Sequence, residues 1–250
     1  GANTMQRELY FDGFEDYRFR NAVNSCDLDS FSIFPGLGGS FLNYLDTSDA
    51  HTGNYSLKLT KKIDLITYIT TAQHAHGVGK YLDWDVLGQY IQKTTPGLYP
   101  NGFQPSPSKK YIFSAWVKDG AAPSATPGIT LQANNQDLDF QVKAVVEGWK
   151  QIEAVIDLSQ LPGGNSRLEV VVPVAGNILI DDIRIFPYDA TVKTYAYDDK
   201  ALRLMAEMDE NNFATFYEYD DEGNLVRVKK ETDRGIMTLK ETRSVLHKTY

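Results

Sequence analysis

Lys150-Gln151-Ile152-Glu153-Ala154-Val155-Ile156-Asp157-Leu158 decides the class of the fold. Read as an extended chain, it puts Ile152, Ala154, Ile156 and Leu158 on one face, with Gln151, Glu153 and Asp157 on the other. Tyr55-Ser56-Leu57-Lys58-Leu59-Thr60 repeats the pattern, with Tyr55, Leu57 and Leu59 in register. The same period of two runs through 111–117, 128–133, 140–146, 167–172 and 177–186. The breaks are turn chemistry: Pro35-Gly36, Pro96-Gly97, Pro127-Gly128 and Pro162-Gly163-Gly164-Asn165. Many short alternating segments with regular breaks predict an all-β antiparallel sandwich. Helical signals are scarce. The best spans 84–93, inside a long connection over 74–108 that ends among Pro100, Pro105 and Pro107. Connections of that length are often binding loops.

Composition bounds the function. At 250 residues the chain has room for one large domain, or for one domain with an appendage. Fifteen Tyr favour strands and binding surfaces. A formal net charge of −8 with no basic stripe argues against nucleic acid and anionic membranes as partners. Cys26 is the only cysteine, which excludes an intramolecular disulfide and a cysteine metal cluster; a small buried hydrophobe is the expected state. No apolar run reaches the roughly 20 residues of a membrane-spanning helix, so no membrane insertion is expected. No signal segment is visible, and Gly1-Ala2-Asn3 reads as a cut end with a targeting or larger region expected upstream.

The character of the chain changes near Pro187. Beyond Asp189 it is charged, Tyr-rich and free of Pro, so a boundary is placed there: a sandwich over 8–189 and an extension over 190–250. The extension repeats itself. Tyr195-Ala196-Tyr197-Asp198 and Tyr217-Glu218-Tyr219-Asp220 stand 22 residues apart, and Asp221-Glu222-Gly223-Asn224 reads as the turn between 216–219 and 225–228. Each unit predicts a hairpin, with Tyr on alternate positions and Asp opening the turn. Arg234-Gly235 reads as a further turn within the charged stretch 229–248.

These units resemble the YD repeat of the RHS family of large bacterial surface and secreted proteins, in which successive hairpins wind into a spiral sheet. The resemblance covers 192–233. Ala201-Leu202-Arg203-Leu204 departs from the usual Gly-Arg-Leu and carries one extra residue. Two units cannot enclose a space, since repeat arrays need several neighbours. The implied role is a terminal hairpin pair that docks on the sandwich or on repeats elsewhere.

The sandwich carries a second resemblance. In order along the chain come Phe11-Asp12-Gly13-Phe14-Glu15-Asp16, then His51-Thr52-Gly53-Asn54-Tyr55-Ser56-Leu57-Lys58-Leu59, then Tyr111 to Lys118, then Gly148-Trp149-Lys150, then Ile178-Leu179-Ile180-Asp181-Asp182-Ile183-Arg184-Ile185. Together they resemble the jelly-roll carbohydrate-binding modules and their galactose-binding-like relatives. The resemblance implies a structural Ca²⁺ where the first strand, the last strand and the His-x-Gly turn meet. Glu15 and one of Asp181 or Asp182 would supply carboxylates, and the turn from Thr52 to Asn54 would supply carbonyls, as a hard cation requires. Asp12 and Asp16 are weaker candidates. Adjacent Asp residues on a regular strand point to opposite faces, so only one is expected to look inward. The plain alternative is that these acids are solvated or accept backbone N–H groups.

Glycans bind such modules by stacking the apolar faces of their rings on aromatics. Trp116 and Trp149 occupy positions that resemble scaffold aromatics of the family. The candidate platform is therefore Tyr81, Trp84, Tyr90 and Tyr99, with His74, His76, Asp83 and Asp85 nearby; a covering loop would use the same residues. No phosphate loop follows the glycines at 36–39, and Gly-x-Ser-x-Gly is absent. The expectation is a noncatalytic module of a secreted or cell-surface bacterial protein. Its partner would be a glycan or cell-surface polysaccharide, together with other regions of a larger parent protein. The alternative is a capping or spacer domain that binds no small ligand.

Overall fold

The computed structural model describes residues 8–15, 45–59, 63–69, 78–84, 90–96, 105–106, 108–133, 136–160, 165–171, 177–198 and 201–242. Among these the chain is β throughout, apart from a 3-10 turn at Leu158–Gln160. The main sheet holds β1 (Tyr10–Asp12), β2 (Leu45–Asp46), β3 (Ser56–Leu59), β7 (Lys110–Lys118), β10 (Phe140–Val146), β11 (Trp149–Asp157) and β13 (Ile178–Pro187). Its order is β10-β11-β7-β13-β3-β2, with β1 also paired to β13. A second sheet runs in the order β4 (Ile63–Ile69), β12 (Asn165–Val171), β8 (Thr130–Ala133), β9 (Gln136–Leu138). All of these pairings are antiparallel.

The alternation read in the sequence explains why the two sheets meet. Tyr111, Phe113, Ala115 and Val117 of β7 and Ile152, Ala154 and Ile156 of β11 share a buried core with Leu131 of β8 and Leu57 and Leu59 of β3. Full burial of each large aliphatic or aromatic chain contributes about 1.5–3 kcal/mol. A charge at Ile152 or Phe113 would therefore break the sandwich at its centre.

The opposite face of the main sheet is covered too. Residues 194–241 form a five-stranded meander: β14 (Thr194–Tyr197), β15 (Leu204–Met208), β16 (Ala214–Tyr219), β17 (Leu225–Thr232) and β18 (Gly235–Glu241). Each Tyr-x-Tyr-Asp unit opens a hairpin, β14–β15 and β16–β17, and Asp198 and Asp220 accept turn amides from Ala201 and Asn224. Gly223 and Gly235 adopt φ of 88° and 116° in the turns after β16 and β17, a region other residues enter at a cost. Trp116, Trp149, Val146 and Leu179 of the main sheet form a second core with Phe213 and Ile236 of the meander. Trp116 and Trp149 are thus buried, on the face turned away from the sandwich interior.

Two expectations need correction. Trp84 and 90–93, the described part of the helix expected at 84–93, are strand. Residues Val78–Trp84 (β5) and Tyr90–Pro96 (β6) are paired strands, with Trp84 opposite Tyr90 and Tyr81 opposite Lys93. Tyr90, Ile91, Thr94 and Thr95 are aromatic or β-branched, residue types that sit more easily on a pleated sheet than in a helix. The strict alternation expected of Asp181 and Asp182 also fails. Against β7 the register jumps from Asp181↔Trp116 to Arg184↔Ser114, which inserts one extra residue into β13. Asp182 takes φ of 47° at this bulge. The parity reverses there, so Ile180 and Ile183 both enter the core and both aspartates are fully buried.

Candidate functional site

The bulge is the centre of a buried polar cluster. Glu15 is delivered by a tight turn after β1, in which Asp12 accepts the Phe14 amide at 2.9 Å and Phe14 takes φ of 61°. The Glu15 carboxylate accepts the Asn54 and Tyr55 amides at 2.8 and 2.9 Å. Gly53 makes that approach possible. Its φ is 66°, and a Cβ there would overlap the Glu15 carboxylate. Burial pushes the Glu15 carboxyl up to about 7, and the Asp182 charge adds to it, against the two amides that favour the anion.

Asp181 accepts three backbone N–H groups, from His51 at 2.9 Å, Thr52 at 3.3 Å and Asp182 at 2.7 Å. Burial first, then the neighbouring Asp182 charge, holds its carboxyl well above the usual carboxylate range. Asp182 accepts the Thr52 hydroxyl at 2.8 Å, and its other oxygen lies 2.6 Å from His51 Nδ1. Across the ring, His51 Nε2 lies 2.9 Å from Glu231 Oε1 of β17. The second Glu231 oxygen accepts the Ala214 amide at 2.9 Å. A line of polar contacts therefore crosses from the bulge, through His51, into the meander.

His51 faces a carboxylate at each nitrogen, the arrangement that suits a doubly protonated ring. Burial opposes the charge; the hydrogen bonds of Asp182 and Glu231, then their charges, overturn it and raise the ring to about 9. The ring stacks on Trp116 with centroids 4.1 Å apart and planes at 16°. Trp149 and Phe216 close it edge-on at 5.9 and 6.5 Å. Neither ring nitrogen is left for a substrate, so His51 serves as a positively charged brace.

More bonds bind the two units. Trp116 Nε1 donates to the Asn212 carbonyl at 3.0 Å, Gln151 Nε2 to the Asn211 carbonyl at 2.5 Å, and Arg184 Nη1 to the Asp209 carbonyl at 2.8 Å. Asn212 Nδ2 donates to Ser114 Oγ at 3.3 Å.

The five residues expected around a cation, Glu15, Thr52, Asn54, Asp181 and Asp182, are thus brought to one place. Their carboxylate oxygens face N–H and O–H donors. Among the described residues, no three His, Cys, Asp or Glu side chains form a group able to hold a metal ion. Of the expected platform, Tyr81 and Trp84 lie on β5 and Tyr90 on β6, and Asp83 lies on β5; Tyr99 is outside the described residues, as are Asp16, Cys26, His74, His76 and Asp85. Sequence reasoning missed the roles of His51, Glu231 and Arg184. His51 stood beside the expected carbonyl donors, but Glu231 lay in the charged stretch 229–248, where nothing local singles it out. Compared with known proteins, the chain matches no family model and no curated protein.

Proposed function

We propose that the chain is a noncatalytic structural module of a larger bacterial secreted or surface protein, in which the sandwich caps and fixes one end of a sheet of Tyr-Asp hairpins. The observation that supports this most is the buried line Asp182–His51–Glu231, which joins the last sandwich strand to the fourth meander strand. A flexible tether has no use for a charged ring enclosed between two units, because separating them would take one of its two carboxylate partners from the ring. The outermost strand, β18, leaves its far edge open in the described sheet, where repeats of a parent protein would continue.

The test is urea unfolding followed by Trp fluorescence, which reports the Trp116–Trp149 junction, and by amide exchange across β14–β17. The wild type should lose both signals together. Glu231→Ala should expose the β14–β16 amides at urea concentrations where the sandwich strands stay protected. Two independent transitions already present in the wild type would overturn the reading.

A second reading, a glycan platform, rests on the β5–β6 register that pairs Trp84 with Tyr90 along the backbone. Binding to a glycan array that disappears in Trp84→Ala supports it, and an array with no binding removes it.

A further inference from the structure

The meander turns part of its charge toward the sandwich side and its aromatics away from it. Ala206, Met208, Ala214 and Phe216 face the main sheet, where Phe11 packs against them. Lys229 stands opposite Phe216 and Arg227 opposite Glu218, so these charges share the inner face. They neutralise one another there: Arg227 pairs with Glu218 at 2.8 Å and with Glu241 at 3.2 Å, and Lys229 pairs with Glu218. On the outer face, Tyr195 and Tyr197 of β14 are 46% and 48% exposed, and Met237 of β18 is 52% exposed. An open sheet face with large side chains of this kind marks a contact surface.

One row across this face indicates what covers it. Tyr195 is opposite Glu207, Glu207 opposite Thr215, Thr215 opposite Lys230, and Lys230 opposite Met237. Opposed residues share a face, so the row Tyr195, Glu207, Thr215, Lys230, Met237 runs straight across all five strands. It is antisymmetric about its centre: an aromatic and an acid lie on one side of Thr215, a base and a thioether on the other. Lys230 is exposed and, among the described residues, pairs with no acid. Glu207 is half-buried and accepts the Tyr217 hydroxyl, a neutral donor.

A row of that kind is complementary to itself. Turned over about an axis along β16, a second copy sets its acid on the base of the first and its base on the acid. We infer that this face joins two copies of the chain, meander on meander, with Glu207 against the partner's Lys230 and Tyr195 against the partner's Met237. Each meeting occurs twice by symmetry, and the second is a sulfur–aromatic contact. Stacked sheets keep their strands within about 30° of each other, and Glu207 and Lys230 lie one strand, about 4.8 Å, from the axis, so the twist parts them little. Five strands at that spacing and on the order of 20 Å long give a face of roughly 500 Å² per copy, small for a specific interface, so the dimer is weak. The contact leaves the β18 edge free and does not depend on the capping role.

The experiment is sedimentation velocity of the full chain from about 1 to about 300 μM, the range in which a small interface associates. The wild type should pass from monomer to dimer. Glu207→Lys and Lys230→Glu each set like charges together at two places, and each should weaken association at least about tenfold. The double variant Glu207→Lys with Lys230→Glu restores both pairs with the signs exchanged, and should dimerise within about threefold of the wild type. Should Glu207→Lys fail to fold, having lost the Tyr217 contact, Lys230→Glu and Met237→Arg decide from exposed positions, each with the same loss expected. A wild type that stays monomeric throughout, a dimer that Lys230→Glu leaves intact, or a folded double variant no stronger than the single ones would each overturn the assignment.

Discussion

His51→Gln should flatten the dependence of stability on pH between about 6.5 and about 9. In the folded protein the ring is raised from 6.5 to about 9. At about 1.4 kcal/mol per pH unit, that difference is on the order of 3 kcal/mol. Below pH 6.5 the ring is protonated in both folded and unfolded chains, so its full contribution is present. Between 6.5 and 9 the unfolded ring loses its proton while the folded one keeps it, and stability falls with rising pH. Above about 9 the contribution is gone. The groups that face the ring are Asp182 of β13 and Glu231 of β17, with Trp116, Trp149 and Phe216 as its uncharged walls. The assay is urea unfolding at intervals from about pH 6 to about pH 10, with ΔG taken by linear extrapolation. Glu15, raised to about 7, titrates in the same range, so the difference between wild type and His51→Gln is what decides. The variant loses a charge matched to two buried carboxylates, so it is less stable below about pH 9 and its profile is flatter. A wild-type profile level across the window, or a variant that keeps the wild-type slope, would refute the charged brace.

Gly53→Ala combines an unfavourable φ of 66° with an overlap on the Glu15 carboxylate, and should cost at least about 2 kcal/mol in urea unfolding; an unchanged midpoint would show that the Gly53 turn yields without loss. The proposal of a calcium ion at Glu15, Asp181, Asp182 and the Thr52–Asn54 turn predicts a Tm that rises with added Ca²⁺, by the equivalent of about 2.7 kcal/mol at a hundredfold excess over Kd. Equal Tm in Ca²⁺ and in chelator, with no metal by elemental analysis, would leave the amides, the Thr52 hydroxyl and the His51 ring as the partners of those acids.

What the sequence made legible was what has a short period. Ile152, Ala154 and Ile156, or Tyr111, Phe113 and Val117, announce a strand and its buried face within a few residues, and these strands and the Tyr-Asp hairpins appear where the alternation places them. The clustering of Glu15 with the 51–55 turn and the Asp pair was legible only through resemblance, since 39 residues separate Glu15 from Asn54 and about 130 separate His51 from Asp181. The reading failed where a feature depends on the third dimension. An extra residue in β13 has no local signature, so both aspartates turned out buried where alternation allowed one. Glu231 sits between Lys230 and Thr232 in a charged run where nothing local singles it out, yet it is only 2% exposed, because β17 passes over His51.

The bulge also sets the contacts that join the two units. A regular β13 would turn Asp182 toward the sandwich core, where a carboxylate has no donor, and would turn Ile183 toward the meander. The extra residue places Ile183 in the core, Asp182 against His51 and Thr52, and Arg184 against the Asp209 carbonyl. One irregularity thus sets three contacts, and two of them lead to the meander: Asp182 through His51 to Glu231, and Arg184 directly. The φ of 47° at Asp182 is unfavourable by itself. The contacts of Asp182 with Thr52 and His51 help offset that cost, and Glu231 of the meander holds the other side of the His51 ring. Removing the meander would leave a sandwich with a buried, half-matched histidine and a strained aspartate on its exposed face. The sandwich strand that looks most irregular in isolation is therefore the one shaped by its neighbour.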